Sequence, residues 1–166
     1  SRLPVPTSTG YSEENLNKAT RYFPLVGIII GLIGACVYWS SHLVFTHTVS
    51  VLAAIIAMIL STGAFHEDAF SDFCDGFGGG YTPEKILAIM KDSRIGTYGA
   101  VGLVLLILSK IFLLSEIAPA IIPFVNIVAH AFSRVFPVLM IHFSNYVRAD
   151  ETSKIKNFGK KLTIST

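Results

Sequence analysis

Charge is what this sequence has least of. Only 14% of its 166 residues are Asp, Glu, Lys or Arg, against roughly 25% in an ordinary soluble domain. A polar surface cannot be assembled from so few groups, which excludes a water-soluble globule with an ordinary exterior. Cysteine is scarce too: Cys36 lies in an apolar run and Cys74 in an acidic one, with no spacing that suits a disulfide framework or a zinc site. A net charge of +2 gives no general attraction to nucleic acid. The opening residues carry no secretory-type apolar core, and the start at Ser1 without methionine predicts a trimmed N-terminus.

What is present is long apolar sequence, 52% hydrophobic with a mean hydropathy of +0.60. Phe23 to Phe45 holds no charged residue and is long enough for a membrane span. Pro24 suits its first turn, Tyr38 and Trp39 suit the far interface, and Gly27 and Gly31 form a GxxxG that lets another helix come close. Val49 to Phe65 is a shorter uncharged run, joined to the first through Thr46, His47 and Thr48, so the two predict an antiparallel hairpin. Tyr98 to Ile122, interrupted by Lys110 and Glu116, and Phe124 to Phe143, interrupted by Asn126, His130 and Arg134, predict a third and a fourth span. Pro119 and Pro123 mark the turn between them, and Pro137 predicts a kink. The expected fold is all-α, a polytopic membrane bundle of about four spans plus short interfacial helices, one of them over Tyr11 to Tyr22.

Eleven of the thirteen Lys and Arg residues fall near the N-terminus (Arg2, Lys18, Arg21), between 85 and 94 (Lys85, Lys91, Arg94), and in the closing basic tail (Arg148, Lys154, Lys156, Lys160, Lys161). Four spans put all three clusters on one side, which the positive-inside rule makes the cytoplasm.

Six of the eleven acidic residues lie from Glu67 to Asp92, directly after an apolar run. Asp68, Asp72 and Asp75 are spaced i, i+4, i+7 and fall within about 60° of one another around a helix. Carboxylates so placed repel unless a hard cation such as Mg²⁺ sits among them, and Mg²⁺ takes oxygen ligands and bridges to substrate phosphates. Asp92 is a further candidate ligand, and Lys91, Arg94, Lys110 and Arg134 are candidates to hold phosphate oxygens. Gly76, Gly78, Gly79 and Gly80 predict a loop whose amides could close on an anion. Thr82 and Pro83 then predict an N-cap and first helical residue of a short amphipathic helix on the membrane surface. His66 projects away from the stripe and is a structural or substrate-contacting residue, while Glu67 lies about 100° off it as a supporting group. Lys110 and Glu116, about 120° apart around a helix, are poor partners for each other; Lys110 and Arg134 suit either an acidic or phosphate partner or plain interhelical pairing.

GAFHEDAFSDFCDGFGGG followed by KDSRIGTYG resembles the signature of the cobalamin synthase family, adenosylcobinamide-GDP ribazoletransferases. RLPVP at residues 2 to 6, FPLVGIIIG at 23 to 31, Lys110, and the pair Ser133 and Arg134 occur in the same order as in that family. Ala69 and Ser71 depart from the usual glycine and alanine, and neither change removes a carboxylate. Members usually continue for several more membrane helices, so residues 1–166 are expected to be one integral membrane domain that is incomplete at its C-terminus.

The resemblance implies a bacterial inner-membrane transferase in which a hydroxyl of α-ribazole, or of its 5′-phosphate, attacks the pyrophosphate of adenosylcobinamide-GDP. Cobalamin, or its 5′-phosphate, forms and GMP leaves. Mg²⁺ on Asp68, Asp72 and Asp75 would neutralise the diphosphate, and Asp72 or Asp75 would accept the hydroxyl proton. Membrane lipid is an implied partner, and assembly into a homo-oligomer is left open. Three other readings stand beside it. A CDP-alcohol phosphotransferase shares spaced membrane aspartates, but its longer pattern is broken here by Phe77 and the glycines. A cation transporter or channel would want acids at mid-membrane depth. A purely structural partner in a corrinoid-assembling complex would be inactive alone.

Overall fold

The structure is a computed structural model and describes residues 22–143. Within them are seven helices and no strand: α1 Phe23–His42, α2 His47–Thr62, α3 Phe65–Gly79, α4 Pro83–Ile89, α5 Thr97–Ser115, α6 Ile122–Ser133 and α7 Val135–Phe143. The all-α bundle is the one the sequence predicts. Phe23–His42, Thr97–Ser115 and Ile122–Met140 are each long and apolar enough to cross a membrane, and a fourth crossing results if α2 and α3 form one broken span. The basic ends and the predicted interfacial helix over Tyr11 to Tyr22, save Tyr22 itself, lie outside the described residues.

The buried core is small, formed by Ile30, Tyr38, Val51, Ala54, Ile55, Met58 and Ile122, while large apolar side chains such as Leu25, Trp39, Leu105, Phe112 and Phe124 face outward. In water such an exterior would aggregate; in hydrocarbon it is at rest. α1 and α2 form the expected hairpin, though the turn falls at residues 43–46 and α2 begins at His47. The Tyr38 hydroxyl and His47 Nδ1, 2.7 Å apart, tie the two helices together.

α1 also packs along α6, and the GxxxG makes that possible. A Cβ on Gly27 would strike the His130 carbonyl and the backbone of Ala131, and one on Gly31 the backbone of Ile127 and Asn126. Only glycine lets the two backbones approach so closely.

Three boundaries differ from the sequence reading. The third run stops at Ser115, with Glu116 as C-cap, and the chain turns through 116–121 before α6, because Pro123 fits only the first turn of a new helix. The helix expected to kink at Pro137 breaks at Arg134 and restarts at Val135. Pro137 has no N–H to offer the Ser133 carbonyl four residues back, and its ring crowds that group, so the ladder stops there.

The third difference is the end of the second run. α2 closes at Thr62, and Gly63 (φ 69°) and Ala64 (φ 57°) both adopt left-handed backbone, with the Ala64 amide donating to the Ile59 carbonyl at 2.9 Å. α3 therefore leaves α2 at 88°. Ala64 holds a conformation that costs an L residue about 1–2 kcal/mol. Ala64→Gly is accordingly expected to keep or slightly raise the unfolding temperature in detergent, whereas Ala64→Val, branched at Cβ, is expected to cost about 1–3 kcal/mol.

After the bend, α3 runs antiparallel to α5. Glu67, near its start, meets Lys110 near the end of α5, while Asp75 and Gly78, near its end, meet Gly96, Gly99 and Tyr98. α4 folds back on the last turn of α3.

Candidate functional site

Residues 65 to 79 do form one helix, so Asp68, Asp72 and Asp75 share a face as their spacing requires. The face is not uniform. Asp75 is 8% exposed, and both its oxygens are taken: Oδ2 accepts the Gly96 amide at 2.7 Å and Oδ1 the Gly99 amide at 2.8 Å. These are orphan donors at the start of α5, where the helix dipole also favours negative charge, so Asp75 is an N-terminal cap supplied from another helix. A Cβ on Gly96 or Gly99 would collide with this carboxylate, which is why glycine stands at both positions.

Asp68 is exposed and Asp72 half-buried, and among the described residues neither carries a hydrogen bond or ion pair. No group of three or more His, Cys, Asp or Glu side chains among the described residues is arranged to hold a metal ion. The triple convergence expected from spacing is thus absent, because Asp75 turns to α5. The remaining donor set still fits Mg²⁺, which commonly binds through one or two carboxylates and completes its shell with water and substrate phosphate.

The expected glycine loop is absent as well. Gly76 to Gly79 complete the last turn of α3, so the amides of Gly78 and Gly79 belong to the helical ladder and are not free to cradle an anion. Their small size serves packing: a Cβ on Gly78 would enter the Tyr98 ring, and one on Gly76 would meet Met90. Thr82 and Pro83 cap α4 as expected, Thr82 Oγ1 accepting the Lys85 amide at 3.3 Å. The apolar side of α4, with Ile86 and Met90, faces the glycines of α3.

Asp92 and Arg94 hold each other. The guanidinium donates to both carboxylate oxygens, at 2.6 Å from Nη2 and 3.0 Å from Nε, and neither residue lines the cavity described below. The hydrogen bonds from Arg94 hold the Asp92 carboxyl down at about 2. A depressed carboxylate keeps its contribution above its unfolded pKa and loses it only as pH falls through the folded value. Asp92→Asn is therefore expected to leave the shape of an activity profile between pH 6 and pH 9 unchanged, which a pH–rate series on the pair of proteins checks.

Spacing alone did not reveal an open cavity of about 430 Å³ bordered by α2, α3, α5 and α6. Its floor is apolar, with Ile55, Met58, Leu114 and Val125. His66, Glu67, Lys110, His130 and Arg134 supply its charged and imidazole groups. Lys110 Nζ lies 3.4 Å from Glu67 Oε1, so Lys110 finds its partner on α3 and not in Glu116. Arg134 is 7% exposed, and Nη1 donates to the His130 carbonyl at 2.8 Å with His130 Nδ1 3.1 Å away. One carboxylate against two cations leaves this wall positive, a setting for an anion. Asn126 and His130 are the residues that sequence reasoning passed over; their spacing with Arg134, at i, i+4, i+8 of one helix, was the available signal.

The model of the cobalamin-5-phosphate synthase family matches residues 1–166. The chain belongs to that family. Curated relatives named adenosylcobinamide-GDP ribazoletransferase include those of Shewanella frigidimarina (strain NCIMB 400), 48% identical over 93% of this chain and 60% of the relative, and Vibrio parahaemolyticus serotype O3:K6, 45% identical over 99% of this chain and 63% of the relative. A third, from Shewanella amazonensis, is 44% identical over 97% of this chain and 63% of its own length. The chain thus spans 60–63% of the length of these relatives. No solved structure matches it.

Proposed function

We propose that this chain carries the diphosphate-handling part of a membrane transferase that joins adenosylcobinamide-GDP to α-ribazole, or to its 5′-phosphate, with release of GMP. The observation that carries this reading is the positive, partly desolvated wall formed by Lys110 and Arg134, on an apolar cavity bordered by the same helix, α3, that bears Asp68 and Asp72. The Arg134 guanidinium, largely buried, holds phosphate oxygens more strongly than it would at a surface, and the more open Lys110 ammonium adds its charge beside it.

In the reaction, an α-ribazole hydroxyl forms a bond to the phosphorus on the cobinamide side of the diphosphate. The bond from that phosphorus to the bridging oxygen breaks, and GMP departs with the electron pair. Asp72 takes the hydroxyl proton, Lys110 and Arg134 steady the phosphate oxygens, and Glu67 and His130 fix the directions of those two cations. Mg²⁺ held by Asp68 and Asp72 would supply neutralisation of the diphosphate and the leaving GMP. Asp75 does not touch substrate in this scheme; it positions α3 against α5. The N-terminus, the 66–97 segment and the C-terminus face the cytoplasm, across a bacterial inner membrane, on the strength of the Lys and Arg distribution.

The test is GMP release from adenosylcobinamide-GDP in detergent by the full-length protein, with and without α-ribazole and Mg²⁺. Release that needs all three is the expected result; none with all three present overturns the reading.

A further inference from the structure

Asn126 is 3% exposed, lines the cavity beside its apolar floor, and among the described residues its Nδ2 has no hydrogen-bond partner. A buried amide donor left unpaired is costly, and native structures keep such groups chiefly where a ligand or water answers them. Asn126, His130 and Arg134 follow one another at one-turn intervals along a single face of α6, so about 12 Å of helix separates the amide from the guanidinium. The ligand that suits this line has a flat apolar part with one bare acceptor at one end and an anionic group at the other. An acyl chain would fill the floor but leave Asn126 unanswered.

We propose that the cavity is the seat of the acceptor nucleoside, its base lying on Ile55, Met58 and Leu114, with Asn126 Nδ2 donating to the ring nitrogen that does not bear the ribose. This assignment rests on the transfer reaction proposed above. α-Ribazole fits in chemical type: its dimethylated benzimidazole is flat and apolar, one ring nitrogen carries the ribose and the other keeps a lone pair. The sugar then lies toward His130, with its attacking hydroxyl directed to the phosphate oxygens that Lys110 and Arg134 steady. A cavity of about 430 Å³ is within the usual range for small-molecule sites. Asn126 becomes a specificity-determining residue, selecting a base with an acceptor in place of an equally apolar ring.

The experiment compares the full-length protein in nanodiscs with Asn126→Leu and, from a different helix, Leu114→Phe, which narrows the floor. Steady-state GMP release gives KM for each substrate, and calorimetry gives α-ribazole binding without turnover. Asn126→Leu is expected to raise KM and Kd for α-ribazole about 10- to 100-fold with KM for adenosylcobinamide-GDP unchanged. It is also expected to raise the ligand-free unfolding temperature by about 2–4 °C, since an unanswered amide gives way to an apolar side chain. A ribazole analogue with CH in place of the bare nitrogen should bind the wild type weakly and the leucine variant no worse than α-ribazole itself. Leu114→Phe should also weaken α-ribazole alone.

Unchanged α-ribazole affinity in both variants overturns the assignment, as does a leucine variant that loses both substrates equally and unfolds earlier. A lipid retained in the cavity by native mass spectrometry and not displaced by α-ribazole also overturns it. A wild type that binds α-ribazole but releases no GMP counts against the transfer reaction and leaves the seat standing.

Discussion

Asp72→Asn is expected to lower GMP release by about 10²- to 10⁴-fold while leaving the fold intact. The size follows from what the proposed reaction would lose, a proton acceptor and one of two carboxylates that would hold a divalent cation, each of which typically carries two or more orders of magnitude. The intact fold follows from what is not removed, because Asp72 has no hydrogen bond or ion pair among the described residues and faces like charge on its own helix. In Mg²⁺-free buffer the variant should unfold no earlier than the wild type, since i, i+4 repulsion of a few tenths of a kcal/mol has gone. Titrating Mg²⁺ should then separate the two proteins. At about ten times its dissociation constant the ion adds roughly 1.4 kcal/mol to the wild type and little to the variant. Asp68→Asn should behave alike, and wild-type activity in both variants would remove the carboxylates from the mechanism.

Asp75→Asn is expected to fail differently, by losing the α3–α5 hairpin and activity together. The carboxylate receives two backbone amides in a buried place, and hydrogen bonds to a charged acceptor contribute about 1.5–3 kcal/mol each. An asparagine keeps one oxygen and turns an NH₂ toward a second N–H, so one bond goes and a donor faces a donor. Against a total stability of roughly 5–15 kcal/mol that is a large fraction. Gly99→Ala should reproduce the defect from the other side, because its methyl group displaces the same carboxylate. Limited proteolysis would read it as faster cleavage between Gly80 and Gly96 in both variants, at unchanged cleavage in Asp72→Asn. Equal protection in all of them would mean that Asp75 is no cap.

The contrast between these aspartates marks where sequence reading stopped. Spacing alone put three carboxylates on one face of a helix, identified the cap at Thr82 and Pro83, and found the glycine pair that admits a second backbone. Those are properties of neighbours in the chain. Asp75 meets its partners 21 and 24 residues further on, and Glu67 meets Lys110 43 residues on, so neither contact leaves a periodic trace. The glycines misled for a related reason. A run of Gly76, Gly78, Gly79 and Gly80 reads as a loop by propensity, yet Tyr98, Met90 and Ile86 press on it so closely that tertiary packing keeps most of it helical. Pro137 was read as a kink in one helix, and the helix instead breaks where the missing amide is felt, at the carbonyl of Ser133.

The seam between α1 and α6 has a consequence for biogenesis. Gly27 and Gly31 emerge from the ribosome roughly a hundred residues before the backbone they are shaped to receive. At about 5–20 residues per second, the first helix waits on the order of 5–20 s in the bilayer with its notch uncovered. Anything with a smooth helical flank could occupy that notch in the meantime, so the insertion machinery or a neighbouring nascent chain must be kept from doing so until α6 arrives.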